Sequence, residues 1–453
     1  MSSGTSKKDK SNKQSDQGNL KWWQLSLLGV ASIIGTGFFL GSSLAIKTSG
    51  PSIILAFLVA ALGTYIVFNA LARMTADDPQ KGSFRSYAKK AYGRWAGFSN
   101  GWVYWSSEML IMGSQLTALG LFTRFWFEKF PLWILTSIYA VLGVIVILAG
   151  VSSFKKVENV LAVLKIAAIF MFIVIALAAL FGFIDGKKEV SITKAYSEIF
   201  PNGFKGLWTA LIYAFYAFGG IEVMGIMATE LKDPKEAPKS GKIMLMLLTT
   251  IYILSLGLAI TLLSWDKFST KQSPFIKALE GYDLPFVPHV FNAVLIIGGF
   301  STMVAALYAV TNMVVTLSED GDAPAIFKTK KGKRKLPLPA LGLTTGGLIV
   351  SIVVSLLLPD KIYEYITTAA GLMLLYTWMF ILFSFKRIMK KLSAMDNILR
   401  IVGLVLILVA VSGTMFEKVS RIGFFVSLAF LVVIGLVTLL MKKKWRHEEA
   451  TGN

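Results

Sequence analysis

The segment Ser32-Ile33-Ile34-Gly35-Thr36-Gly37-Phe38 lies in the middle of an apolar run from about Trp22 to Ala45. A run of that length can cross a bilayer as a helix, and in hydrocarbon every backbone N–H and C=O must be satisfied by the chain itself. Two glycines flanking a threonine weaken the helix at mid-membrane depth. Such a break is tolerated where it is buried in protein or lines a cavity, and there it can hold a ligand. A second candidate break, Phe218-Gly219-Gly220-Ile221-Glu222, interrupts a later apolar run. Two glycine-interrupted spans in corresponding halves of a chain are the best sequence pointer to a transporter's substrate site.

Composition fits a membrane protein, with 55% hydrophobic residues and only 16% charged ones. The apolar runs predict an all-α polytopic membrane protein of twelve transmembrane helices, near 22–48, 51–74, 95–127, 131–150, 157–183, 203–230, 240–264, 288–318, 338–358, 361–385, 397–416 and 421–441. Residues 1–20, rich in Ser, Lys, Gln and Asp, read as a disordered segment, and 442–453 as a tail. All 13 prolines fall at span ends or in loops, so any break inside a span must come from glycine.

The net charge of +20 concerns orientation rather than nucleic acid. With both termini placed inside, 32 Lys and Arg fall on the inner side and 13 on the outer. The positive-inside rule then puts both termini in the cytoplasm of a multi-pass cell-membrane protein. The basic loop Lys328–Lys335 reads the same way. The first run is too long for a cleavable signal and would serve as its own insertion signal. Without cysteine there are no disulfides, thiolate metal sites or cysteine nucleophiles. His289 and His447 have no ligand partner at metal spacing, and neither GxxxxGK[ST] nor HExxH occurs. These absences argue against an ATP-driven pump and a zinc protease; no metal or cofactor is expected, and no enzymatic constellation emerges.

Gly29-Val30-Ala31-Ser32-Ile33-Ile34-Gly35-Thr36-Gly37-Phe38-Phe39-Leu40-Gly41-Ser42 resembles the first-helix signature of bacterial amino acid permeases of the amino acid–polyamine–organocation superfamily. Lys81-Gly82-Ser83-Phe84-Arg85-Ser86-Tyr87-Ala88, Gly97-Phe98 and Gly101-Trp102-Val103-Tyr104-Trp105 are similar to their loop and third helix. Gly219-Gly220-Ile221-Glu222, Ala228-Thr229-Glu230 and Asp233-Pro234 match the sixth helix and its exit, and Asp320-Gly321-Asp322-Ala323-Pro324 the loop after the eighth. The resemblance implies a five-plus-five inverted repeat (about 22–183 and 203–385), with helices 1 and 6 broken and two peripheral helices within 397–441. It also implies secondary active transport of amino acids, by proton symport or exchange.

An amino acid zwitterion needs two partners. Freed N–H groups around Ile34, Gly35, Thr36 and Gly37 would face the carboxylate, and freed carbonyls around Phe218, Gly219 and Gly220 the ammonium. The same glycines could instead only permit close helix packing. Lys165 stands alone among apolar residues, where a central lysine costs about 2.5–3.5 kcal/mol on insertion scales. By resemblance it takes the place of a bound sodium ion in proton-coupled relatives; alternatively it snorkels to the surface. Glu222 would carry a proton or cap the unwound segment, and Glu230 would serve an inner gate or fix a loop. Tyr216 would close over the substrate or simply pack.

Related permeases often carry a glutamate where this chain has Gln115. Here a carboxylate, Glu108, lies two turns earlier on nearly the same face, either as the proton carrier or as a partner of Lys165. Ala305-Ala306-Leu307-Tyr308 and Asn312 also depart from the family pattern. Met109, Ile111, Met112 and Met224 suggest an apolar pocket and a neutral, aliphatic substrate. The alternatives are an amino acid exchanger, a cationic amino acid importer or, in a different class, a membrane amino acid sensor. Expected partners are the amino acid, a proton and the bilayer.

Overall fold

Backbone polar groups in a bilayer can be satisfied within a chain only by helices or a closed barrel. Here the choice is helices. The structure, a computed structural model, describes residues 20–80, 82–149, 151–186, 196–332, 335–357 and 361–451. Among them there are three isolated β-bridges and no strand. The expected disordered segment, Lys81, Lys333, Arg334 and Pro359 lie outside the described residues, as does the His447 side chain.

The first apolar run forms three pieces, α1 (Trp22–Ile33), α2 (Thr36–Phe39) and α3 (Gly41–Ser49). There follow α4 (Ile53–Asp77), α5 (Ser83–Tyr92), α6 (Arg94–Thr123), α7 (Leu132–Ala149) and α8 (Val151–Leu180). The second interrupted run is α9 (Gly203–Tyr216) and α10 (Ile221–Met227). After it come α11 (Ala237–Leu262), α12 (Pro274–Leu279), α13 (Val287–Glu319), α14 (Leu338–Leu357), α15 (Ile362–Ile388), α16 (Ala394–Gly413) and α17 (Lys418–Thr451). Nine helical stretches among the described residues are long and apolar enough to cross a membrane, and Trp22–Ile33 and Leu338–Val354 are shorter apolar helices. Pro238, Pro274 and Pro288 sit in the first turns of α11, α12 and α13, where an absent N–H breaks no intrahelical bond.

Three features depart from the apolar runs. Helix α6, read as the span near 95–127, is not among the nine apolar stretches. Helix α5 joins α4 to α6 with Phe84, Tyr87, Ala88 and Ala91 buried and Lys89 and Lys90 exposed, a pattern too polar to register as a span. The segment read as a tail continues α17 to Thr451, because no helix breaker intervenes before Gly452. Trp445 within it is buried against Phe98, with the Arg94 guanidinium 4.7 Å from a Trp445 ring centroid.

The α5 end of the bundle is held by polar ties. Buried Arg85 donates to Asp320 (2.5 Å) and Asp322 (2.7 Å), and Arg94 Nε donates to the other oxygen of Asp322 at 3.1 Å. These bonds pin the loop after α13 under α5 and α6. Leu20 bridges to Leu231, its N–H donating to the Glu230 carbonyl at 3.0 Å, which ties the start of α1 to the exit of α10. The Glu230 backbone therefore fixes this loop. Helix α6 packs against α7, α13 and α15 and contributes Tyr104, Glu108, Ile111 and Gln115 to the cavity described next.

Candidate functional site

At the first break, the Ile34 N–H makes the last α1 bond, to Val30 O at 3.2 Å. Gly35 is extended, and bonding resumes only when Phe38 and Phe39 donate to the Gly35 carbonyl at 3.0 and 2.9 Å. The N–H groups of Gly35, Thr36 and Gly37 thus precede the first bonded turn and have no carbonyl one turn back. Gly37 itself lies inside α2, so the break sits one to two residues earlier than the glycine spacing suggests. The Thr36 carbonyl accepts from the Tyr363 hydroxyl at 3.2 Å. The Thr36 hydroxyl is buried without a hydrogen-bond partner.

The second break is satisfied in part from within. Gly220 adopts φ +111°, a left-handed backbone that glycine takes without the Cβ clash, and starts α10. Its carbonyl accepts from Val223 and Met224 at 3.1 and 3.3 Å. That corrects the expectation of a free Gly220 carbonyl: the residue opens a helix, so its oxygen takes the first helical bonds. Glu222 Oε1 accepts from the Gly220 N–H at 3.1 Å, and Oε2 from Trp378 Nε1 at 3.2 Å. Both carboxylate oxygens serve as a cap. Tyr252 donates to the Ala217 carbonyl at 2.9 Å. Among the described residues nothing donates to the Phe218 or Gly219 carbonyl.

Between the breaks lies a cavity of about 510 Å³. It brings together Gly35, Thr36, Gly37, Glu108, Gln115, Lys165, Tyr216, Gly219 and Gly220. It does not include Ile34, Phe218 or Glu222. Ile34 is buried in the core, and the Phe218 ring packs on Tyr252 and Phe57. The Gln115 side-chain oxygen is buried without a partner, like the Thr36 hydroxyl. Tyr216 lies close over Gly37, since a methyl added there would meet the ring at 3.1 Å.

The stem of Lys165 crosses α13 at Gly298, where an added methyl would approach its Cγ to 2.5 Å. That contact explains how a lysine within an apolar helix lies along the cavity wall, 3% exposed, rather than extending to the surface.

Sequence reasoning missed Ser32, Tyr104 and Thr302, all of which line the cavity. Thr302 faces Gly35 from α13, and a methyl on Gly35 would lie 3.7 Å from it. The Gly298-Gly299 pair one turn earlier was the available signal for a close approach there. The apolar wall also differs from expectation. Ile111 belongs to it with Val223, Met227, Ala305, Ala306 and Ala309, whereas Met109 and Met112 pack in a separate core cluster and Met224 lies beside Gly29. Tyr308 and Asn312 stand off the cavity, the Asn312 amide donating to the Tyr308 carbonyl at 2.9 Å. His289 accepts from Trp126 Nε1 at 2.8 Å, an ordinary structural role.

On one side of the breaks the path is closed. Phe38 stacks on Tyr252 with centroids 3.9 Å apart and packs on Phe275 at 5.1 Å, all three buried. On the other side the cavity runs toward the α5 end, past Leu28, Tyr104, Met227 and Ala309. The result is a polar pocket at the breaks, open along one half of the bundle.

The amino acid permease family model matches residues 24–450. The chain is 58% identical to the uncharacterized transporter YcgH of Bacillus subtilis (strain 168) over 438 residues, covering 96% of this chain and 98% of that one. It is 30% identical to the aromatic amino acid transport protein AroP of Corynebacterium glutamicum, over 84% of this chain and 83% of AroP. It is 27% identical to the gamma-aminobutyric acid permease of Bacillus subtilis (strain 168), over 83% of this chain and 80% of the relative. With broken helices, a cavity between them and a family match across almost its whole length, the chain belongs to the amino acid permeases of the amino acid–polyamine–organocation superfamily, multi-pass membrane proteins that transport amino acids and are not enzymes.

Proposed function

We propose that the cavity is the transport site for one amino acid, entered by alternating access. The observation that carries this reading is the pair of orphaned groups, Thr36 Oγ1 and Gln115 Oε1, buried in one cavity between the two breaks. An unpaired buried polar atom is costly, and a bound zwitterion removes that cost. The carboxylate faces the open N–H groups of Gly35, Thr36 and Gly37. The ammonium faces Gln115 Oε1 and the Gly219 carbonyl. Ile111, Val223 and the three alanines form a wall suited to a neutral, aliphatic side chain.

The fold is read as twelve spans in two inverted repeats of five, about 22–183 and 203–385, with α16 and α17 peripheral. Both termini are cytoplasmic in the cell membrane, from the 32-to-13 asymmetry of basic residues. The open half of the cavity then faces the cytoplasm, and the Phe38–Tyr252–Phe275 plug closes the outside. The natural absence of cysteine makes single introduced cysteines a clean test. Labelling at residue 330 or 443 by an impermeant reagent outside intact cells would overturn this topology.

Coupling is assigned to a proton, with Lys165 as its carrier. Lys165 lines the cavity with its stem against Gly298 of α13, which supports this assignment. A proton drives the cycle only through a difference in affinity between the two conformations. One pKa unit of difference supplies about 1.4 kcal/mol. Uptake into proteoliposomes under an inward proton gradient, then an inward sodium gradient, tests this. Proton-driven accumulation that Lys165→Ala loses is expected. Sodium-driven accumulation, or undiminished proton-driven accumulation by Lys165→Ala, contradicts it and makes Glu108 the leading carrier; counterflow without either gradient marks an exchanger.

A second reading is favoured by one observation. Glu108, 7% exposed, lines the cavity two turns from Gln115. Its carboxylate would suit a substrate with a cationic side chain. Preference for labelled lysine over labelled leucine would select that reading.

A further inference from the structure

Helix α4 carries a stripe toward the α5 end, where Tyr65, Asn69 and Arg73 recur at intervals of four residues. That spacing places them one above another on a single face. The stripe lines a shallow groove between α4, α15 and α16, completed on the polar side by Asp396 and Arg400. Ile66, Leu382 and Leu399 form its apolar walls. All of this lies away from the transport cavity.

The polar groups here are incompletely matched. Arg73 makes a two-pronged pair with Asp396, at 2.5 and 3.3 Å, and lies over the Phe385 ring at 5.2 Å. Asp396 also accepts from the Ser393 N–H at 3.0 Å. Arg400, one turn further along α16, has no acidic partner among the described residues, and its Nε is buried without a hydrogen bond. The side chains of Tyr65 and Asn69 likewise have no hydrogen-bond partner among the described residues. The groove thus offers three unused polar groups, a net positive charge and an apolar wall along the bundle surface. Met395, Ile398 and Ile401 on α16 are exposed beside it, as expected of a helix facing acyl chains.

We propose that this groove binds an anionic phospholipid of the leaflet at the α5 end. The headgroup phosphate takes the Arg400 guanidinium, whose planar fork matches phosphate oxygens. Asn69 and Tyr65 contact the glycerol and ester oxygens, and an acyl chain lies along Leu399 and the exposed Ile398. A basic pocket between transmembrane helices on the cytoplasmic side is a physical setting in which anionic headgroups are held. The occupant is an amphiphile rather than a free anion because the polar stripe is bordered by half-buried Leu399 and by the exposed Met395, Ile398 and Ile401 of α16, which face the hydrocarbon.

The test uses the full-length protein in detergent, titrated with phosphatidylglycerol or phosphatidylcholine and read by native mass spectrometry and thermal unfolding. Selective retention of phosphatidylglycerol and a rise in unfolding temperature are expected. Arg400→Gln should bind it about tenfold more weakly, the loss of roughly one charge-assisted contact. Asn69→Leu should lose less, and Lys442→Gln, on the distant end of α17, nothing. If Arg400→Gln misfolds, Asn69→Leu alone decides. Equal retention of both lipids, unchanged binding in Arg400→Gln and Asn69→Leu, or an equal thermal shift with inorganic phosphate would each overturn the proposal.

Discussion

The two broken helices solve the same problem in opposite ways. At the second, Glu222, itself held by Trp378, and Tyr252 tie the unwound backbone, and among the described residues the Phe218 and Gly219 carbonyls are left over. At the first, the side chains supply one tie, Tyr363 to the Thr36 carbonyl, while the N–H groups stay open and the Thr36 hydroxyl is orphaned. A self-satisfied break is a rigid wall. An unsatisfied break is a binding surface waiting for its ligand. The first break is therefore read as the place where substrate is recognised, and the second as the frame that holds it in position.

Substitutions of the two glycines separate these roles most strongly. Gly220→Ala forces a side chain into φ +111° with its methyl 3.3 Å from Ile33, a strain of about 1–3 kcal/mol. Thermal unfolding should reveal it. Gly35→Ala meets nothing closer than 3.7 Å and should fold normally, but Gly35→Leu should fill the site and reduce uptake to background. Normal uptake by folded Gly35→Leu would remove the first break from the site.

Glu222 sharpens the contrast further. Glu222→Ala leaves the Gly220 N–H and Trp378 Nε1 without acceptors, at about 1–3 kcal/mol each. Glu222→Gln keeps one acceptor and should recover part of that stability together with proton-driven uptake. If it folds well yet loses only the pH-gradient response, the proton role returns to Glu222.

At the first break the expected signs differ. Thr36→Val and Gln115→Leu delete groups that have no partner among the described residues, so stability should hold or rise slightly. Substrate affinity should fall about tenfold for each, roughly one hydrogen bond. Loss of stability without loss of affinity would reverse the reading of these two residues.

The smallest effect lies outside the membrane. Burial pushes the Tyr87 phenol up to about 12, while its hydroxyl donates to the Asp78 carbonyl at 2.8 Å. A group kept neutral in the folded state supplies stability that is whole below its ordinary value near 10 and lost as pH rises through about 12. Tyr87→Phe should flatten the unfolding temperature across that window, and an unchanged alkaline slope would discount the phenol. Neither break should respond.

The contrast between the breaks was only half legible in the sequence. Glycine-interrupted apolar runs revealed both breaks, and one lone lysine in an apolar helix marked Lys165. Those signals are local, since hydrocarbon leaves little tolerance for either feature. What remained hidden depends on packing between distant elements. The Gly220 carbonyl is used because its own φ starts a helix, and Glu222 is a cap because Trp378 on α15 reaches it. Thr302 and the displacement of Met109, Met112 and Met224 from the wall follow from helix rotation, which hydropathy does not encode. The polar stripe Tyr65, Asn69 and Arg73 has helical spacing, but its partner Arg400 is brought beside it only by the fold.

The central claim is that substrate is held at the open first break. The direct measurement is equilibrium binding of the twenty labelled amino acids, one at a time, to purified wild type, Thr36→Val and Gly35→Leu. The account predicts that an amino acid binding wild type binds Thr36→Val about tenfold more weakly and Gly35→Leu not at all, with the proteins equally folded. Unchanged affinity in both folded variants would contradict it.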